Sequence, residues 1–116
     1  MPEYMLLITE RVDHFTDFTP EKWEVLDERH RVFVQQIADA GGEVVSGDPL
    51  RAPQPRSRFT PTVDGVLVSD GPFAETKEVL LGYYKIRVDA EETARELAAL
   101  CPTAGYVDLR LVGLGQ

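Results

Sequence analysis

Apolar and polar positions divide this chain into short segments of clear type. Tyr4 to Thr9 is a compact apolar run, the pattern of a central strand buried on both faces. Arg11 to Phe18 is mixed and polar and reads as a loop. A helix start follows: Thr19 can cap, Pro20 suits the first helical position, and Glu21 complements the helix dipole. Trp23, Leu26, His30, Phe33 and Ile37 recur at spacings of three and four, which places them on one helix face. Gly41-Gly42 ends that helix.

Glu43 to Ser46 reads as a second strand, and the proline-bearing stretch Asp48 to Arg58 as a loop. Phe59–Val63 and Val66–Ser69 flank Asp64-Gly65, a strong hairpin signal. Phe73 to Glu78 could form one helical turn. Val79 to Val88 reads as a long strand with Tyr84, Ile86 and Val88 on one face and Tyr83, Lys85 and Arg87 on the other. Asp89 with Glu92 resembles a capping box. Ala94, Leu97, Ala98 and Cys101 form the stripe of a second helix, which Pro102 stops. Tyr106 to Val112 is the last strand.

With the hairpin removed, the order is βαββαβ, that of a ferredoxin-like α+β fold in one domain over residues 1–116. Two helices cover one face of such a sheet. Leu and Val at both parities in the first and last strands ask for cover on the other face, so the expected assembly is a homodimer with sheets facing each other.

Composition narrows the function classes. Hydrophobic residues make up 43% of the 116 and charged residues 28%, ordinary for a globular protein. Net charge is −8, with 20 acids against 12 bases, so nucleic acid and anionic membranes are not expected partners. The lone cysteine, Cys101, cannot form an internal disulfide or a Cys-based zinc site. No apolar stretch reaches the roughly 20 residues of a membrane span, and the expected compartment is the cytoplasm. P-loop, G-x-G-x-x-G, G-x-S-x-G and Cys-x-x-Cys patterns are missing.

The run Val68-Ser69-Asp70-Gly71-Pro72-Phe73-Ala74-Glu75-Thr76-Lys77-Glu78 resembles the DGPF motif of the YCII-related family. Leu81-Gly82-Tyr83-Tyr84, Cys101-Pro102, the opening Tyr4 to Ile8 and the segment around His30 and Phe33 extend the resemblance over nearly the whole chain. It implies a dimeric α/β barrel of ferredoxin-like halves with a cleft near the DGPF turn. It also implies a histidine and an aspartate in the site, which His30 and Asp70 can supply. Members are often encoded near extracytoplasmic-function sigma factors, a regulatory context, and the wider superfamily carries small-molecule, lyase-like chemistry.

Among individual residues, His30 interrupts an apolar stripe with a ring that titrates near neutrality, suited to a general acid or base. The competing reading is a core histidine satisfied by a backbone carbonyl. Asp70 can orient a histidine, or simply bond its own turn. Glu75, Lys77, Arg58 and Tyr83 are candidate ligand contacts, with a solvated surface pair, an exposed loop and an interface aromatic as their alternatives. Arg51 and Arg56 share the proline-rich loop with Arg58. His14 with Asp13 and Asp17 lacks metal-ligand spacing, so neither a metal nor a cofactor is expected. The chemistry expected from sequence is a cofactor-independent lyase or isomerase step on a small organic molecule, with His30 as acid or base oriented by Asp70. The alternative is a ligand-sensing or protein-interaction module.

Overall fold

A computed structural model describes residues 1–11, 13–50, 57–71 and 77–115. Strand β1 (Glu3–Arg11) is followed by helix α1 (Pro20–Asp39) and β2 (Glu43–Pro49). Then come β3 (Ser57–Thr62), β4 (Gly65–Asp70), β5 (Glu78–Arg87), α2 (Glu91–Leu100) and β6 (Tyr106–Leu111). Four strands form an antiparallel sheet in the order β2-β5-β1-β6, with β3 and β4 as a separate two-stranded sheet. This is the α+β arrangement of a ferredoxin-like fold with a hairpin inserted between its second and third main strands.

Within a single chain β1 is sealed on one face: Tyr4, Leu6, Ile8 and Glu10 are buried, whereas the alternating Glu3, Met5, Leu7 and Thr9 are half-buried. The reason is topological, because both crossovers place their helices on the same side of the sheet. Phe33 and Ile37 of α1, and Ala94, Leu97 and Cys101 at α2, close on Leu6, Ile86 and Val88 to form the core. Fully burying each such side chain stabilises by about 1.5–3 kcal/mol.

Local signals explain the helix ends. The Thr19 hydroxyl accepts from the Lys22 N–H at 3.2 Å, and Pro20 opens α1 as the sequence suggests. Gly41 takes φ 80°, so its N–H reaches the Ala38 carbonyl at 3.0 Å while Gly42 reaches Ile37 at 2.9 Å. The capping box expected at α2 does not form. Ala90 is the N-cap, without a side-chain hydrogen bond, and Glu91 and Glu92 support the helix start through the dipole instead.

Two further boundaries differ from the sequence reading. β2 continues to Pro49 because β5 offers partners as far as Gly82, and the Leu50 N–H still bonds to Leu81. The apolar positions of β6 share one parity: Val107 and Leu109 pack on the core, and the alternating Tyr106, Asp108 and Arg110 are exposed. The open face of the sheet therefore mixes Met5 and Leu7 with an ionic ladder. Glu3 lies 3.3 Å from Lys85 and 2.7 Å from Arg87, which also reaches Glu43 at 3.2 Å. The helical turn expected over 73–78 falls mostly outside the described residues, and Glu78 already belongs to β5.

The β3–β4 hairpin turns at Asp64-Gly65, with Gly65 at φ 139°. Phe59, Pro61, Val66 and Val68 share one face by register, and Phe59, Val66 and Val68 are all exposed. Among the described residues, no helix is long and apolar enough to cross a membrane.

Gly105 lies where β6 comes against β1: a Cβ there would run into the Thr9 carbonyl oxygen and sit 3.0 Å from the Glu10 Cα. Both are backbone atoms, so neither can rotate away. Gly105→Ala should lower stability by about 1–3 kcal/mol or more in thermal or urea unfolding, as overpacking does. Gly115→Ala, in open space, should leave it unchanged.

Candidate functional site

The loop between β1 and α1 is built from aromatic rings. His14, Phe15 and Phe18 follow three successive turn hydrogen bonds, the last from the Phe18 N–H to the Phe15 carbonyl at 3.2 Å. Trp23 stacks on Phe15 at 4.9 Å and meets Phe18 edge-on at 4.7 Å. This cluster corrects the reading of the loop. The loop is not merely polar, and Trp23, on the apolar stripe of α1 but 43% exposed, packs against the loop.

Next to this cluster lies a groove of about 350 Å³ between the first half of α1 and the turn before β6. Phe18, Val25 and Leu26 form apolar walls, Thr103 and Ala104 close one side, and Lys22 and Arg29 carry positive charge to the rim. Glu10 is in its lining, 6% exposed. The parity of β1 puts it there: Glu10 is the fourth member of the buried stripe begun by Tyr4. One carboxyl oxygen, Oε1, is buried and receives no hydrogen bond among the described residues. His14 Nε2 approaches it to 3.3 Å, but off the line of a hydrogen bond. A buried polar atom without a donor costs free energy, and such atoms are rare enough to mark a site.

His30 sits one turn after Leu26, half-buried over β5. Its Nδ1 is 2.6 Å from the Tyr84 hydroxyl, which donates when the ring proton is on Nε2. The two rings stack at 5.8 Å, and Phe33 meets Tyr84 edge-on at 5.2 Å. Burial holds the His30 pKa below its ordinary value, and the positive charge of Arg29 adds to that. Asp27 and Glu10 pull the other way. Burial pushes Tyr84 up to about 12 and Cys101 likewise to about 12, so both stay neutral near pH 7. The Glu10 carboxyl thus lies against the His14 ring, and its field reaches His30.

The residues singled out from sequence scatter. Asp70 ends β4, where it accepts a hydrogen bond from the Ser57 hydroxyl at 2.5 Å. His30 and Asp70 therefore take separate partners within one chain. Arg58 belongs to the same hairpin, opposite Ser69. Tyr83 alternates with Tyr84 and faces away from α1, donating to Asp48 at 2.7 Å, a bond that raises its pKa. Lys77 is exposed just before β5. Glu75, Arg51 and Arg56 lie outside the described residues. Among the described residues no cluster of His, Cys, Asp or Glu is arranged to hold a metal, and Asp13 turns to Arg11 instead of His14. Glu10 went unnoticed in the sequence. The available signal was parity, because a carboxyl at position 10 extends the stripe 4, 6, 8.

Because the folded pKa of His30 is lowered, the unfolded chain binds more protons. The stability it contributes is complete above its ordinary pKa of 6.5 and is lost as pH falls through the lowered folded value. Urea midpoints should drop more steeply from about pH 7 to about pH 5 in the wild type than in His30→Gln. Equal slopes would remove His30 from the acid sensitivity.

Comparison with known sequences gives two matches. A stretch of 52 residues is 44% identical to an uncharacterized protein of Rhizobium meliloti (strain 1021), covering 41% of this chain and 42% of that one. The matched region thus spans less than half the length of that relative. The YCII-related domain matches residues 2–110, most of the chain and all six strands but for the last residue of β6, and on that match this protein belongs to the YCII-related family.

Proposed function

We propose that this protein binds a small organic molecule in the groove beside α1 and moves a proton on it, as a cofactor-independent lyase or isomerase. The observation that carries this reading is the buried oxygen of Glu10, without a hydrogen-bond donor among the described residues, at an apolar groove with His14 beside it. Carboxyl groups in such surroundings are the usual proton acceptors of acid–base enzymes, and a neighbouring imidazole can take the proton onward. The pair proposed is Glu10 with His14, in place of His30 with Asp70, since His30 already bonds Tyr84. His30 then serves packing, through its bond to Tyr84.

We further propose a homodimer of the DGPF branch, joined through the open sheet faces into an α/β barrel. Met5 and Leu7 are half-buried there and flanked by the ionic ladder around Glu3. Light scattering should give twice the 13.0 kDa chain mass, and Leu7→Glu should return it to one. A chain mass of one for the wild type would refute this assembly.

A second reading, a ligand-sensing or interaction module, draws on the exposed apolar face of the hairpin at Phe59, Val66 and Val68. Deuterium incorporation separates the two. Small 2-oxo acids and other enolisable carbonyl compounds incubated in D2O should exchange a carbon-bound proton with the wild type. Glu10→Gln should slow that exchange by about a hundredfold or more. Ligands that shift the NMR resonances of Phe18 and His14 without any exchange would favour the sensor.

A further inference from the structure

We infer that the outer edge of β6 pairs antiparallel with β6 of a second copy of this chain, about a twofold axis through Leu109. The main sheet ends on two unlike edges. β2 is blunted as an edge: a bulge falls between Val44 and Ser46, Asp48 adds a charge, and Pro49 has no N–H to donate. β6 has a different character. Its residues pair with β1 in unbroken register, without proline, lysine or bulge. Among the described residues no strand lies on its outer side, and Leu114 beyond it is exposed.

Hydrogen bonding fixes which groups this edge offers. The Val112 N–H donates to the Glu3 carbonyl at 2.9 Å. Antiparallel ladders alternate, so Arg110, Asp108 and Tyr106 also turn their backbone groups to β1. Val107, Leu109 and Leu111 turn theirs outward. A second β6 must bond through the same three residues, which leaves few registers. With Leu109 opposite Leu109 of the second copy, Val107 meets Leu111 and Asp108 meets Arg110, twice over by symmetry. Those two charges fall at positions without ladder bonds, where opposed side chains come closest. Both are exposed and make no hydrogen bond or ion pair among the described residues, so both are available across the edge. A register centred on Asp108 sets that carboxylate against itself, and one centred on Arg110 does the same with the guanidinium. Charge therefore selects the Leu109 register.

The ladder spans six residues, about 20 Å. A contact of that length buries less than the ~1,200 Å² of stable interfaces, so it joins chains only at high concentration. It is separate from contact between sheet faces, and dilute protein keeps the mass which that contact sets. Sedimentation of the intact protein from about 10 µM to about 1 mM, in about 0.15 M salt, tests the pairing. The average mass should rise toward twice its dilute value. Asp108→Arg and Arg110→Asp, each alone, should weaken the association by about tenfold or more and spare the fold. An equimolar mixture of the two variants should restore it, because opposite charges then face each other again. Amide exchange reads the backbone directly: the Val107, Leu109 and Leu111 N–H groups should gain protection as concentration rises, whereas those of Asp108 and Arg110 are protected throughout. A mass constant across the range would overturn the inference. So would single variants that associate like the wild type, or outward amides that stay unprotected while the mass rises.

Discussion

Everything in this molecule leans on the one-sided sealing of β1. The strand runs through the middle of the sheet, paired to β5 on one side and β6 on the other, so its backbone has no freedom to shift register. A slip of one residue would move Leu6 and Ile8 to the open face and bring Met5 and Leu7 under the helices. Phe33, Ile37 and Leu97 close over the correct stripe. The same register that buries Leu6 carries Glu10 into the groove, so core packing and site geometry come from one constraint. Gly105 completes it by letting the chain return against Thr9 and Glu10 without a side chain between them.

Electrostatics in the helix–sheet layer follow from that packing. Tyr84 is held between Phe33 and His30, and its hydroxyl meets the His30 ring nitrogen. The pair is neutral near pH 7, because burial disfavours both the imidazolium and the phenolate. Glu10 is different. His14 lies 3.3 Å from its buried oxygen, which yet has no hydrogen-bond donor among the described residues. Polar atoms elsewhere on the sheet are well paired, as the Glu3, Lys85, Arg87 and Glu43 ladder shows.

The hairpin stands apart from this logic. A two-stranded ribbon alone is marginal in water, and this one exposes its apolar face. Asp70 accepts a hydrogen bond from Ser57 at its base, so this aspartate has a structural task within the chain. Polar groups of the main sheet and of the hairpin do not merge into one cluster among the described residues, which is why His30, Asp70 and Tyr83 do not meet.

Much of the architecture was legible because it depends on local periodicity. The 3.6-residue stripe of α1, the Thr19-Pro20 start, the Gly41-Gly42 stop, the Asp64-Gly65 turn and the alternation of Tyr83 and Tyr84 are all properties of neighbours in sequence. The family motif, too, is a local string. What sequence could not supply was which faces were covered and which distant side chains met. Both crossovers place their helices on one face of the sheet, and that choice buried Glu10 and left Tyr83 outside. The 54-residue separation between His30 and Tyr84 hides their hydrogen bond from any local pattern. Periodicity acts over a few residues and can be read from the chain, whereas the partner of a buried polar group is decided by tertiary packing.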